Sequence, residues 1–348
     1  MKNNLFDLQL FADFAAGTTP GTPTTNPVNL TTSVDDEGKL RFGATLKEFF
    51  DTTLLENSRE ENIFGQFSMK QPIKGNTVEW RKFNKFDKAM EPLKEGVIPA
   101  GQEFGMTAIK GTVTQHGAYT AVSDRLEAEA FDDVVFGASE EMGASAGETK
   151  DTLTRNVLSA STSVAYCPIV GATGALTEVD AIGELTAAAT LTPDMVAKAA
   201  TWLKKNKAPK IDGKYVALVH PSVAYDLRKS NDWIEAHKYS EAKEIFNGEI
   251  GELHGVRFIE STNCRIRKEG AGEIAVYESY FLGKEAYGEI EPSGETMEMI
   301  IKGKEYGGPL NQFSTVGYKF VHGAKILYPE RFLLVLSGSA YSAIDEAN

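Results

Sequence analysis

The sequence predicts an α+β protein, and three observations carry that prediction. Short alternating runs rich in Val, Thr and aromatic residues, bounded by Gly and Pro, recur between residues 77 and 336. One stretch, residues 123 to 164, keeps an apolar step of three or four residues over a length no strand reaches. Between residues 192 and 301, helix starts and strand-like runs alternate.

The elements follow in chain order. Residues 17–33, GTTPGTPTTNPVNLTTS, hold almost no apolar mass, so burial cannot offset the entropy of ordering them. They read as an extended arm or a disordered leader that, where ordered, must lie on something else, a neighbouring subunit being favoured. Residues 43–57 place Leu46, Phe49, Phe50, Leu54 and Leu55 at helical spacing. Residues 77–83 and 107–122 alternate like strands, with Pro92, Gly96, Pro99, Gly101 and Gly105 between them. Structureless loops beyond about 12–15 residues are uncommon in compact domains, so the two runs and the stretch between them are expected to form a two-stranded arm leaving the body. A lone hairpin is marginal in water, and neighbours must stabilise it.

Ser123 and Asp124 open the long helical stretch. Its apolar stripe would run through Val135, Ala138, Met142, Ala146, Thr149, Leu153, Val157, Ala160 and Val164, with a kink expected near Gly137, Gly143 and Gly147. Thr192-Pro193-Asp194 starts a further helix with Val196, Ala199, Ala200 and Leu203 inward and Lys204, Lys205 and Lys207 at its end. A strand at 215–219, helices at 222–229 and 231–246, and strands at 256–260, 274–277 and 296–301 complete the middle of the chain. After Gly307 to Pro309, residues 312–336 return to strand, read as two runs broken by Gly323 and Pro329.

Motifs for chemistry are weak. Gly143-Ala144-Ser145-Ala146-Gly147 fits the nucleophile-elbow pattern, but that motif needs a strand before it and a helix after it, and here the flanks are helical. His116, His220, His237, His254 and His322 stand in different elements with no metal-ligand spacing. His220, just before Pro221, is expected to bond backbone groups. Gly213-Lys214, Gly283-Lys284 and Gly303-Lys304 are followed by Tyr or Glu rather than the hydroxyl a phosphate loop requires. Arg81, Lys82, Lys85, Lys88 and Lys94, with Asp87, Glu91, Glu95 and Glu103, decorate the long arm. The alternatives there are a solvated hairpin of mixed charge and an arm whose charges pair with an adjacent subunit, the second being favoured. No catalytic, cofactor-binding or metal residue is assigned, and no cofactor is expected.

The 348 residues suffice for about two domains. No run reaches the roughly 18 apolar residues of a membrane span, and the opening MKNNLFDLQLFAD lacks a signal peptide's uninterrupted apolar core. A soluble protein is expected, with no membrane partner, and the sequon at Asn29-Leu30-Thr31 then carries no weight. The net charge of −13 argues against a broad phosphate-gripping surface. It suits a container standing beside a polyanion without sticking to it. Cys167 and Cys264, far apart in sequence, are expected as free thiols, with one disulfide as the alternative.

Taken in order, several segments resemble the major capsid proteins of tailed phages, with the Hong Kong 97-type fold. They are LKEGVIPAGQ at 93–102, QHGAYTAVSDRLE at 115–127, YVALVHPSVAYDLR at 215–228, GELHGVRFIESTN at 251–263 and GYKFVHGAKILYPERFLLV at 317–335. The resemblance spans Phe42 to Ser339. It implies an N-terminal arm (1–42), the start of a peripheral domain (43–69), an extended loop (70–118), a spine helix with more of the peripheral domain (119–164), an axial domain (165–308) and closing strands (309–348). It further implies a structural protein without an active site, assembling as hexamers and pentamers into an icosahedral shell around double-stranded DNA in the host cytoplasm. Partners would be further copies, a separate scaffolding protein, a portal and a cement protein. Some relatives crosslink a loop Lys to a partner Asn, and no such pair matches here. Three other readings stand beside it: an encapsulin-type cargo shell of the same fold, a hydrolase using Ser145, and a monomeric surface-binding protein.

Overall fold

The computed structural model describes residues 28–29, 62–73, 75–90, 92, 95–96, 98, 101–129, 134–171, 176–230, 233, 249–292, 297–303 and 310–348. Outside them lie the expected arm apart from residues 28–29, the helix at 43–57, nearly all of the helix at 231–246, and the turn at Gly307 to Pro309.

The first strands are β1 (Val28–Asn29), β2 (Met69–Ile73), β3 (Thr77–Phe83), β4 (Met106–Thr112) and β5 (Thr114–Ser123), followed by helices α1 (Asp124–Glu129) and α2 (Val134–Ser159). Then come β6 (Val164–Tyr166), β7 (Ile169–Val170), β8 (Leu176–Thr177), α3 (Pro193–Lys205), β9 (Tyr215–Val219) and α4 (Pro221–Lys229). The remainder is β10 (Glu249–Leu253), β11 (Val256–Glu260), β12 (Ile266–Arg267), β13 (Val276–Leu282), β14 (Tyr287–Pro292), β15 (Glu298–Lys302), β16 (Phe313–Ile326) and β17 (Phe332–Ser337). The chain divides into two compact units. One comprises Met1–Leu55, Gly117–Gly143 and Glu298–Lys319, and the other Glu56–His116, Ala144–Met297 and Phe320–Asn348.

The larger unit is built on a sheet in the order β10-β11-β9-β13-β17-β6, with β12 beside β13. Every residue of β9, β13 and β17 is buried, which is why YVALV, VYESYFL and FLLVLS read as continuous rather than alternating runs. Helix α3 buries Val196, Ala199, Ala200 and Leu203 as its spacing requires. Thr192 caps it, its hydroxyl accepting from the Met195 N–H at 3.4 Å, and Pro193 occupies the first turn. Between β10 and β11, His254 and Gly255 both take positive φ (52° and 80°), the pair a two-residue hairpin turn demands. In the same unit β14 pairs in parallel with β2 and antiparallel with the end of β16. The β3–β4 hairpin is rooted on a small cluster of Val78, Val113 and Ile290, with Trp80 and Val321 against it.

In the smaller unit β15 pairs with Thr315–Lys319 of β16, and Phe136, Met142, Met299 and Ile301 pack on buried Val316. Ser123 caps α1, its hydroxyl accepting from the Leu126 N–H at 3.2 Å. Strands β5 and β16 approach closely at Gly117 and Gly317. A Cβ on Gly317 would lie 2.6 Å from the Tyr119 Cβ and 2.7 Å from the Ala118 carbonyl oxygen.

Four expectations are corrected. The run at 107–122 is two strands, separated at Val113, whose N–H turns to the Asn76 carbonyl. Helix α2 runs through Gly137, Gly143 and Gly147 and stops at Ser159, while Val164 begins a strand paired with Leu334. Gly323 does not break β16. It lets the strand pass Thr112, whose carbonyl oxygen would sit 2.6 Å from an added Cβ. The strand expected at 274–277 runs from Val276 to Leu282.

Gly317→Ala is expected to force β5 and β16 apart locally and to lower stability by about 1–3 kcal/mol, the usual range for overpacking. Urea unfolding of the variant against the parent measures it.

Candidate functional site

The described residues hold no cluster of three or more groups able to ligate a metal, and no helix among them is long and apolar enough to cross a membrane. What stands out instead, within the larger unit, is a polar seam beneath α2 and an apolar hairpin projecting from β3 and β4.

The seam reverses the expected orientation of α2. Of the predicted apolar stripe, Ala146 alone is buried among the residues whose side chains are described, and Ala138, Met142, Thr149, Leu153 and Val157 are half-buried. From residue 144 onward the buried face is Ala146, Gly147, Asp151, Thr154, Arg155, Leu158 and Ser159. Buried polar groups persist only where they are bonded, and these are.

At the helix end, the Glu278 carboxyl is fully buried on β13. It accepts from the Ser159 hydroxyl at 2.5 Å, the Tyr280 hydroxyl at 2.6 Å and Arg267 Nε at 2.5 Å. Arg267 Nη2 also donates to the Ser159 carbonyl at 3.2 Å. Arg155 donates through Nη1 to the Asn263 carbonyl and side chain at 3.0 and 3.1 Å. Burial lowers the pKa of Arg155 from its ordinary value. One turn earlier, Asp151 accepts from the Phe64 N–H at 2.7 Å and from Asn263 Nδ2 at 2.9 Å. Burial pushes its pKa up to about 6, against the lowering effect of those two donors, and the nearby Glu289 carboxyl adds to the rise. Thr154 donates to Glu289 Oε1 at 2.7 Å and meets His322 Nε2 at 3.1 Å, while Ser68 donates to Glu289 Oε2 at 3.0 Å. Tyr280 and Tyr287, buried beside these groups, have their phenol pKa values raised by burial first and by the neighbouring carboxyls second.

The hairpin has the opposite character. Beyond its root it exposes Phe83, Phe86, Met90, Ile98, Phe104 and Met106, with Met90 at 81% and Ile98 at 93% exposure. Phe83 and Phe86 both stack with Phe104, with ring centroids 4.9 and 5.6 Å away. Lys82 anchors the shaft. Its ammonium lies 2.6 Å from Glu330 Oε1 and 4.5 Å from the centre of the Tyr328 ring, which Arg331 covers at 3.8 Å. Burial pushes the Glu330 pKa up, but the Lys82 bond, a backbone hydrogen bond and the charges of Lys82 and Arg331 together outweigh it and leave the value lowered.

The residues singled out from sequence do not converge. Ser145 lies inside the continuous helix Val134–Ser159, without the strand-to-helix turn an elbow nucleophile requires. His220 does what was expected of it, accepting from the Ser222 N–H at 3.2 Å as the cap of α4. His116 meets the Thr114 hydroxyl at 2.7 Å, and His254 sits exposed in a turn. His237 and Lys94 are outside the described residues. On the arm, Lys82 and Arg81 pair within the chain, to Glu330 and Glu79, rather than being left for a neighbour. Both cysteines are free and buried, with thiol pKa values raised by burial.

Sequence reasoning missed Asp151, Arg155, Glu278, Glu289 and His322 as a connected set. Two signals were available: polar residues at helical spacing on α2 (Asp151, Arg155, Ser159), and a carboxyl inside the apolar run VYESYFL.

A family model described as phage capsid protein matches residues 107–330, well over half the chain. Among solved structures, the chain is similar to the capsid of the cyanophage P-SCSP1u (TM-score 0.61, 14% identity, 80% of this chain and 89% of that one). It is also similar to the capsid of Ralstonia phage GP4 (TM-score 0.60, 15% identity, 95% and 99%) and to that of cyanophage Pam1 (TM-score 0.59, 15% identity, 89% and 99%). These likenesses show the Hong Kong 97-type capsid fold. No curated protein matches the chain.

Removing Glu278 breaks a buried pair and leaves Arg267 with the looser, more exposed Glu269 contact at 3.9 Å. Glu278→Ala is expected to cost about 3–5 kcal/mol of stability. The shift in urea midpoint at unchanged slope checks this, and a change under about 1 kcal/mol would mean the pair is not holding helix to sheet.

Proposed function

The chain belongs to the phage capsid protein family, a structural component of the capsid shell of the virion, and on that premise we propose that it builds the shell as hexamers and pentamers whose extended hairpins lie over neighbouring subunits. The observation that supports this most is the hairpin itself. A strip of exposed aromatic and aliphatic side chains, on a two-stranded ribbon with little core of its own, is costly to leave in water. Covered by a second copy, the same strip supplies interface area without requiring a larger body.

In this proposal residues 1–42 are the N-terminal arm, 43–69 begin the peripheral domain, 70–118 are the extended loop and 119–164 the spine helix with more of that domain. Residues 165–308 form the axial domain around which capsomers close, and 309–348 supply the closing strands. The protein carries no catalytic residue. Its net charge of −13 fits enclosing DNA without binding it specifically. A scaffolding protein, a portal and a cement protein are the further partners, and assembly takes place in the host cytoplasm. The cargo-shell alternative is not favoured, because the matching family is that of phage capsid proteins.

Negative-stain electron microscopy and sedimentation velocity test the proposal, on the protein expressed alone and with a scaffolding protein encoded beside it. Shells, tubes or capsomer rings are expected. A sharp monomer in both settings, at high concentration, contradicts it. Phe86→Ser with Phe104→Ser alters exposed side chains only, so the monomer's unfolding midpoint should hold while particle yield falls at least tenfold.

A further inference from the structure

We propose that Asp151, Thr154, Glu289 and His322 form a proton-responsive latch between α2 and strands β14 and β16, in which proton uptake by Asp151 tightens the contact and proton uptake by the imidazole loosens it. The geometry defines the parts. Asp151 and Thr154 are one turn apart on the buried face of α2. Glu289 is fully buried on β14, and His322, 3% exposed, is on β16. Thr154 is the shared joint. Its single hydroxyl proton goes to Glu289 Oε1 at 2.7 Å, so the 3.1 Å contact with His322 is an Nε2–H donating to the threonine oxygen. The result is a relay, imidazole to hydroxyl to carboxyl, bridging one helix and two strands.

Among the described residues, no Lys or Arg pairs with either carboxyl directly. Lys150 lies 3.9 Å from Glu291, which also meets Lys70 at 3.0 Å, so both lysines are engaged at the rim of the seam. The groups facing His322 are Glu289 and Glu291 from β14, Lys150 from α2 and His116 from β5, with the Phe320 ring 6.4 Å away on its own strand. Those facing Asp151 are Glu289, the Cys264 thiol and the Tyr287 phenol, with donors from Asn263 and the Phe64 N–H. Burial, with a second carboxyl nearby, favours proton uptake by Asp151 in the folded arrangement. A buried imidazole bonded only to a neutral hydroxyl resists it.

The directions follow from linkage. Asp151 is raised from 3.8 to about 6 in the folded chain. Its stabilising contribution is complete below 3.8 and lost as pH rises through 6. Burial lowers the His322 value below the ordinary 6.5. Its contribution is complete above 6.5 and lost as pH falls. Between pH 7.5 and 5.5 the two therefore act against each other, and the latch is buffered.

Hydrogen exchange of peptides from residues 144–159, corrected for intrinsic rate, tests this in the parent, Asp151→Asn and His322→Gln, the glutamine keeping an N–H donor. The slope with pH is the readout, so a shift in overall stability does not matter. On going from pH 7.5 to 5.5, His322→Gln should gain about fourfold in protection and Asp151→Asn should lose about tenfold, with the parent between them. Slopes of the same sign in both variants, or slopes parallel to the parent's, overturn the proposal. Should either variant fail to fold, NMR titration of the His322 imidazole in the parent decides. Titration below 6.5 supports the latch, and titration at or above 6.5 overturns it.

Discussion

The larger unit depends on one constraint: α2 buries polar side chains from Asp151 to Ser159, and a buried charge is tolerated only with its partners in place. An apolar stripe could be satisfied by any greasy surface. A face made of Asp151, Thr154, Arg155 and Ser159 is satisfied only by the particular carboxyls, amide and imidazole that β13, β14, β16 and the Asn263 loop present. The register of β13 matters for the same reason. Sliding it by one residue would turn Glu278 away from Ser159 and Arg267. Hydrophobic burial in β9, β13 and β17 supplies the bulk of the stabilisation, while the seam fixes which helix lies there and at what height.

Against this fixed body the hairpin is an economy of another kind. Its root is secured by Val78, Trp80 and the Lys82–Glu330 pair, and beyond the root it spends its aromatic residues outward. An isolated monomer gains nothing from Phe86 or Ile98 in water. In the proposed shell a subunit does, because there the cost of exposure would be recovered at each contact with a copy of itself. Rigid body and exposed ribbon are thus complementary requirements. The ribbon can reach a neighbour in a reproducible place only if its root does not move.

Much of this was legible in the sequence, for identifiable reasons. TVEWRKF, YVALV and VRFIE were read with the observed bounds of β3, β9 and β11, because alternation or uniform β-branching leaves little ambiguity. Thr192-Pro193 and Ser123 announced helix starts through their capping chemistry. The orientation of α2 was not legible. Counting apolar positions at helical spacing picked Leu153 and Val157, whereas the chain buries Asp151, Arg155 and Ser159, whose partners Phe64, Asn263, Glu278 and Tyr280 lie 87 to 121 residues away. Strands β2 and β14 were missed likewise, since MKQPI and YGEIEP carry Pro, Gly and charge, and pair for reasons of tertiary context. The stop of α2 at Ser159 was hidden too, because Val164 suits a helical step as well as a strand.

The division between a fixed body and a ribbon completed by its neighbours can be measured directly by comparing amide hydrogen exchange in unassembled subunits and in purified shells. Residues 144–159 should be protected in both states, while residues 83–106 should exchange rapidly in the subunit and become protected by at least tenfold in the shell. Equal protection of 83–106 in the two states would contradict the account, as would protection of 144–159 that appears only on assembly.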